Sequence, residues 1–270
     1  MNRLDCLWEY LKNKRIDEYE NILKYAKELD YKVISLSQYI SGNFSQKDKL
    51  LILRHDIDHI TKATEMMIEI EKKYDCNASY YFRECTADID VINKVKYANS
   101  EASMHFETIA NFIKKRKLCK ENFKIEYLDL CKKLLKYELN AFRIKYDLGC
   151  KTIASHGEDV NRMFGISNNV LTEDIESYKF YNIDLEAYND SFIKQINVYI
   201  SDCPIEINEG YRYGLNPIKA IENGATPILF LTHPNHWYYT YFQQLKKLVK
   251  VILYGTTIKK DCFKRINNAI

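Results

Sequence analysis

Glycine and proline are scarce, with 8 and 4 among 270 residues, so the chain has few of the residues that mark flexible linkers and sharp turns. Neither an internal repeat nor a low-complexity segment divides it, and a single domain over 1–270 is the expected organisation. An excess of charge is missing too. The 40 basic and 37 acidic residues leave a net charge of +3, which offers no basic footprint for nucleic acid, and the lysines alternate with acids as on solvated helix faces. The eight cysteines (Cys6, Cys76, Cys85, Cys119, Cys131, Cys150, Cys203 and Cys262) are widely spaced and form no C-x-x-C pair. That spacing excludes a zinc ribbon or a disulfide framework and leaves most of them as small buried apolar residues. No apolar run approaches the roughly 20 residues that span a bilayer. The stretch 1–15 mixes Asp5, Glu9 and Lys12 with aromatics and lacks the apolar core of a signal peptide. A cytoplasmic location with no membrane span is the resulting expectation.

Apolar residues make up 46% of the chain, enough for one large core. The 22 tyrosines outnumber the 12 phenylalanines, which suits a core with hydroxyls at its edge and rings able to stack on sugars. Helical and strand-like patterns alternate. Residues 17–29 place Ile22, Leu23, Tyr25, Ala26 and Leu29 at helical spacing, and further helices are expected over 61–74, 91–98, 123–137 and 241–253. Strands are expected over 32–36, 50–57, 78–82, 102–106, 151–155 and 227–232. Such alternation predicts βαβ units and a parallel sheet or barrel.

All six histidines fall in four short segments. These are His55 and His59 in Arg54-His55-Asp56-Ile57-Asp58-His59, His105 in Met104-His105-Phe106-Glu107, His156 in Ser155-His156-Gly157, and His233 and His236 in Thr232-His233-Pro234-Asn235-His236. Each segment closes or follows a strand-like run, and in parallel sheets and barrels ligands bind beyond the carboxyl ends of the strands. Ordinary histidines would scatter through helices and loops, so their confinement to strand ends predicts one site for metal or acid–base chemistry. Strand side chains alternate, so Asp56 and Asp58 share a face while His55 and Ile57 point away. One carboxylate is then free to bind a divalent ion and the other to take a proton from water. The alternative is that the two acids merely cap the helix that starts near Thr61.

Leu53-Arg54-His55-Asp56-Ile57-Asp58 resembles the first motif of the polysaccharide deacetylases, in the form with one residue between the aspartates. Ala78-Ser79-Tyr80-Tyr81-Phe82 resembles that family's second strand, and the segment from Ser100 to Thr108, around His105, its second motif. Ile153-Ala154-Ser155-His156-Gly157 and Leu231-Thr232-His233-Pro234 resemble later strand-end motifs of members found in surface-polysaccharide gene clusters. The order holds over roughly residues 20–240. The resemblance implies an α/β fold, a distorted (β/α) barrel, and a metal-dependent hydrolase that removes an acetyl group from an N-acetylated sugar. It further implies a divalent metal, usually zinc, acting as a Lewis acid, with Asp58 and His105 as ligands, Asp56 as general base and His233 as general acid.

The chain departs from the family pattern in two places. The family's second ligand histidine, four residues after the first, is here Ile109, which cannot coordinate, and Ser100 stands where many relatives carry histidine. His156 is the preferred third ligand and Glu107 the alternative; one Asp with two His suits zinc with an open position. Trp237, with Tyr238 and Tyr239, is a candidate sugar-stacking wall, or else core. Asp202 and Arg212 are candidates to bind substrate hydroxyls or a carboxylate, against a surface ion pair worth little. The expected substrate is a carbohydrate precursor such as a nucleotide- or lipid-linked sugar. Two other functions compete: a carbohydrate-binding pseudoenzyme, favoured by Ile109, and a metal-dependent phosphoesterase, which would normally show an H-x-H near its start. The basic stretch 259–265 reads as a solvated end.

Overall fold

The computed structural model describes residues 15–45, 47–203, 210–212 and 215–238, together with Phe242 and Val249. Almost all of the helix expected over 241–253, and the whole basic stretch 259–265, lie outside the described residues.

Eight parallel strands occur among them: β1 (Lys32–Ile34), β2 (Leu50–Ile57), β3 (Ser79–Phe82), β4 (Glu101–Phe106), β5 (Thr152–Ser155), β6 (Leu185–Glu186), β7 (Val198–Ser201) and β8 (Ile228–Thr232). Their order is β6-β5-β4-β3-β2-β8-β7, with β1 paired to the first half of β2. All seven pairings are parallel. The sheet curls into a distorted (β/α) barrel, left unpaired between β6 and β7 among the described residues. The expected α/β barrel is therefore the architecture found.

All eight residues of β2 are buried, as expected for a parallel strand covered on both faces. Its apolar side chains divide by alternation. Leu50 and Ile52 join Ile34, Tyr81, Ala154, Leu185 and Leu229 in an inner cluster, while Leu51, Leu53 and Ile57 join Tyr80, Phe82 and Phe230 in the larger layer under the helices. Past Ile52 the inward positions change from apolar to Arg54 and Asp56, and at this end of the strand the interior becomes a polar site.

The helices follow amphipathic spacing. Helix Ile16–Glu28 buries Tyr19, Ile22, Leu23 and Ala26 and carries Asp17 and Glu18 in its first turn, where acids suit the helix dipole. The strand expected over 32–36 stops at Ile34, because Ser35 and Gln38 form a capping box that starts helix Leu36–Ser41. The helix expected over 123–137 runs instead from Tyr127 to Tyr146. Lys120–Asn122 is a short 3₁₀ turn and Phe123 is extended, while the buried series Cys131, Leu135, Leu139, Phe142, Tyr146 carries the helix on until Asp147 turns left-handed. Among the described residues no helix is long and apolar enough to cross a membrane, and Cys76, Cys85, Cys119, Cys131 and Cys150 are free thiols.

Candidate metal and acid–base site

The carboxyl ends of five strands supply the site. Asp56 lies in β2 and Asp58 just beyond it, His105 lies in β4, His156 follows β5, Asp202 follows β7, and His233 follows β8. Register aligns them: His55 is level with Thr232 across β2 and β8, and His105 with Ala154 across β4 and β5. Neither aspartate caps the helix starting at Lys62. Its N-cap is Thr61, which makes no side-chain capping bond.

Asp58, His105 and His156 each bring one ligand atom close enough to share a single ion. Oδ1 of Asp58 stands 3.6 Å from Nε2 of His105 and 3.3 Å from Nε2 of His156. That oxygen is buried and has no hydrogen-bond partner among the described residues, which is costly unless a cation or water satisfies it. Both rings turn Nε2 toward it because their other nitrogens are engaged. Nδ1 of His105 lies 3.0 Å from the Ala154 carbonyl oxygen, to which it donates, and Nδ1 of His156 lies 3.2 Å from Oε2 of Glu107. Burial lowers the pKa of His105 even though Asp56 and Asp58 pull it upward, so its ring is neutral and able to coordinate. One carboxylate and two imidazoles form a donor set that fits a divalent ion such as zinc. Glu107 faces His156 and Arg83, whose Nη2 is 2.8 Å away, and burial notwithstanding, these two neighbours lower its pKa to about 2.

Asp56 is 1% exposed and held in a two-pronged ion pair by Arg54, two residues back on the same face, at 2.8 and 2.9 Å. Burial opposes its charge, yet Arg54 and then His105 bring its pKa down to about 2. Its Oδ2 also lies 3.4 Å from Nε2 of His105 and 3.4 Å from the Tyr188 hydroxyl, which donates to it. Arg54 itself stacks over Tyr188, 4.0 Å from the ring centre.

His233 approaches from β8, with Nε2 3.9 Å from Oδ2 of Asp58. Its Nδ1 is 2.7 Å from Oδ1 of Asp202, and its backbone N–H donates to Oδ2 of the same residue at 2.8 Å. Burial works against a charged His233, but Asp202, with Asp56 and Asp58 behind it, raises its pKa to about 9. Asp202 stays ionised despite complete burial, because His233 and His236 hold it well below the usual carboxylate range.

The remaining expected residues fall elsewhere. Asp202, expected to bind substrate, is fully buried and serves His233 and the Trp237 indole N–H, which donates to it at 2.7 Å. Trp237, expected as a sugar-stacking wall, is 1% exposed. It packs edge-on against Tyr19 and Phe230 under the Arg15 guanidinium, 4.3 Å above its ring, so it belongs to the core. Arg212 is exposed, and Tyr239 lies outside the described residues. Four histidine segments do meet, but not all six histidines. His55 points to the helix layer, where Thr232, Glu71 and Tyr19 satisfy it at 2.5, 2.9 and 3.3 Å, and His59 is exposed. Sequence reasoning passed over Arg54, Arg83 and Tyr188. For Arg54 the signal was present, since alternation puts it on the face of Asp56. For Tyr188 no local pattern was available.

No family model matches the chain. Among curated proteins it is 23% identical over 233 residues to the cytoplasmic serine–tRNA ligase of Plasmodium falciparum, a match over 80% of this chain but 37% of that protein. Among solved structures it is similar to a CE4 family pseudoenzyme from Bacillus anthracis, with a TM-score of 0.42 and 11% identity over 78% of this chain and 63% of that one. A mutant of the same pseudoenzyme with restored enzymatic activity gives 0.43 and 12%, over 78% and 65%. The chain thus spans less than two thirds of each of these proteins. The barrel assignment stands on strand order and register, not on likenesses of this strength.

Proposed function

We propose that this protein is a metal-dependent hydrolase of the polysaccharide deacetylase type, removing an acetyl group from an N-acetylated sugar or sugar precursor, such as a nucleotide-linked sugar of surface-polysaccharide synthesis. The observation that carries this reading is the pairing of two half-sites. A three-donor cluster, Asp58–His105–His156, faces a histidine made cationic by a buried acid, His233–Asp202. In this reading Asp58, His105 and His156 hold a divalent ion, zinc by the donor chemistry. When bound, that ion supplies Lewis acidity to an amide carbonyl and to water.

The chain's own residues provide the rest. Asp56, ionised and locked by Arg54, orients the attacking water and accepts its proton. Its low pKa makes it a weak base, so its contribution comes from placement. His233 is protonated at neutral pH, and Asp202 fixes its ring with Nε2 outward. It therefore has a proton to give the leaving nitrogen, and as that proton leaves, the buried carboxylate keeps the ring in one orientation. Because His156 fills the coordination place that Ile109 leaves empty, the departure from the family pattern does not strip the site of a third donor. That favours catalysis over the pseudoenzyme alternative. The site is cytoplasmic in this reading, acting on soluble precursors.

The test begins with elemental analysis of the purified protein and acetate release from a panel of N-acetylated nucleotide sugars. One ion per chain, lost on Asp58→Ala, together with release of acetate from at least one panel member, is the expected result. A protein that takes up no ion even with added zinc, and releases no acetate, overturns the reading.

A further inference from the structure

His156 is the least conventional member of the donor cluster, and the structure holds it at three points. Its backbone N–H donates to the Phe106 carbonyl oxygen at 2.8 Å. Its own carbonyl oxygen accepts from Nδ2 of Asn168 at 2.6 Å. Asn168 is itself buried, and its Oδ1 takes the Ile109 N–H at 2.9 Å. The third hold is on the ring, where Nδ1 lies 3.2 Å from Oε2 of Glu107.

Glu107 is in turn fixed from the other side. Nη2 of Arg83 is 2.8 Å from the same Oε2 and 2.9 Å from Oε1 of Glu158, and Nη1 of Arg83 reaches the backbone carbonyl of Asp58 at 3.5 Å. Lys114 closes the set at 2.9 Å from Glu158. Glu107 is thus engaged by two donors and stands behind the imidazole.

We propose that Glu107 is a positioning residue that fixes the tautomer of His156, and that Arg83 holds Glu107 in place for this task. A carboxylate at Nδ1 accepts a proton held there, so that Nε2, which faces Asp58 at 3.3 Å, is the nitrogen offered to an ion. A carboxylate behind a ligating histidine orients the ring and raises its basicity, and loss of such a partner typically costs about 10–100-fold in metal affinity. Glu107, just past β4, thereby makes a usable ligand of a histidine just past β5. The inference rests on the metal-binding reading above for its purpose, though not for the tautomer itself.

Two measurements on the full chain test it. Nitrogen-15 NMR of the metal-free protein reads which ring nitrogen of His156 carries the proton. Competition with a chromophoric chelator reads zinc affinity. At a pH where the ring carries a single proton, the wild type is expected to hold it on Nδ1. Glu107→Ala should shift His156 toward Nε2–H and weaken zinc by about 10–100-fold. Glu107→Gln, whose carbonyl oxygen still accepts from Nδ1, should restore most of both. If Glu107→Ala does not fold, Arg83→Met, which releases Glu107, is expected to move the tautomer in the same direction. A His156 that keeps the Nδ1–H tautomer and wild-type zinc affinity in Glu107→Ala overturns the inference. So does an affinity loss far beyond that range with the tautomer unchanged, which would make Glu107 a ligand. Failure of the wild type to bind zinc would sink the metal reading, while the tautomer of the metal-free protein still decides the Glu107 assignment.

Discussion

At the residue scale the site depends on two buried carboxylates placed differently. Asp56 is clamped by arginine and its pKa is lowered to about 2, while Asp202 is clamped by histidine and raises its partner to about 9. Removing a general acid or base typically costs about 10²–10⁴-fold, so Asp56→Asn and His233→Gln should each lower acetate release by about that factor. Bound metal should stay near wild type, as read by elemental analysis, while calorimetry should show a lower melting temperature, since each change strips a buried ion pair, with Arg54 or with Asp202. The His233 titration gives a second prediction, for the metal-free protein. Its folded pKa lies above the ordinary 6.5, so its stabilising contribution is complete below 6.5 and is lost as pH rises through about 9. Unfolding titrations across that window should show stability falling, and the fall should flatten in His233→Gln. An NMR midpoint for His233 near 6.5 would remove the pairing with Asp202 as its cause.

At the element scale β2 is the hub, since it pairs with β1, β3 and β8 and buries every residue. Leu53 is fully buried in the layer between sheet and helices, and deleting such a side chain costs about 2–5 kcal/mol through lost transfer energy and the cavity left behind. Leu53→Ala should therefore lower the free energy of unfolding by about that amount in urea titrations. Losing the Ser35 cap, at typically ~1 kcal/mol, should cost less. Strand 50–57 was legible because continuous apolar burial leaves a continuous apolar run. Helix 127–146 was misplaced because Phe123, packed against the core without being helical, looks in sequence like one more position of the helical face.

At the scale of the whole molecule, the site ties β2, β4, β5, β7 and β8 together. An ion bound there should stabilise the fold by mass action. At a free zinc concentration of about 100 times Kd the gain is about 2.7 kcal/mol, seen as a raised melting temperature that chelator reverses. Asp58→Ala should melt at the same temperature with and without zinc. A wild type whose melting ignores zinc would separate the cluster from metal binding.

The sequence by itself determined the α/β alternation, the strand carrying Asp56, and the confinement of histidines to strand ends, because burial and period are local properties of the chain. It also separated His55 from Asp56, since neighbouring strand residues must face opposite ways. Tertiary structure alone decided which polar groups meet. Trp237 reads equally as an aromatic platform or as core until Tyr19, Phe230 and Arg15 are packed around it. Asp202 reads as a substrate ligand or a surface ion-pair partner until His233, 31 residues on, closes over it. Glu107 and His156 stand 49 residues apart yet meet at 3.2 Å, because β4 and β5 are neighbours in the sheet. Pairing between strands is set by the register of the whole barrel, and no spacing within one segment encodes it.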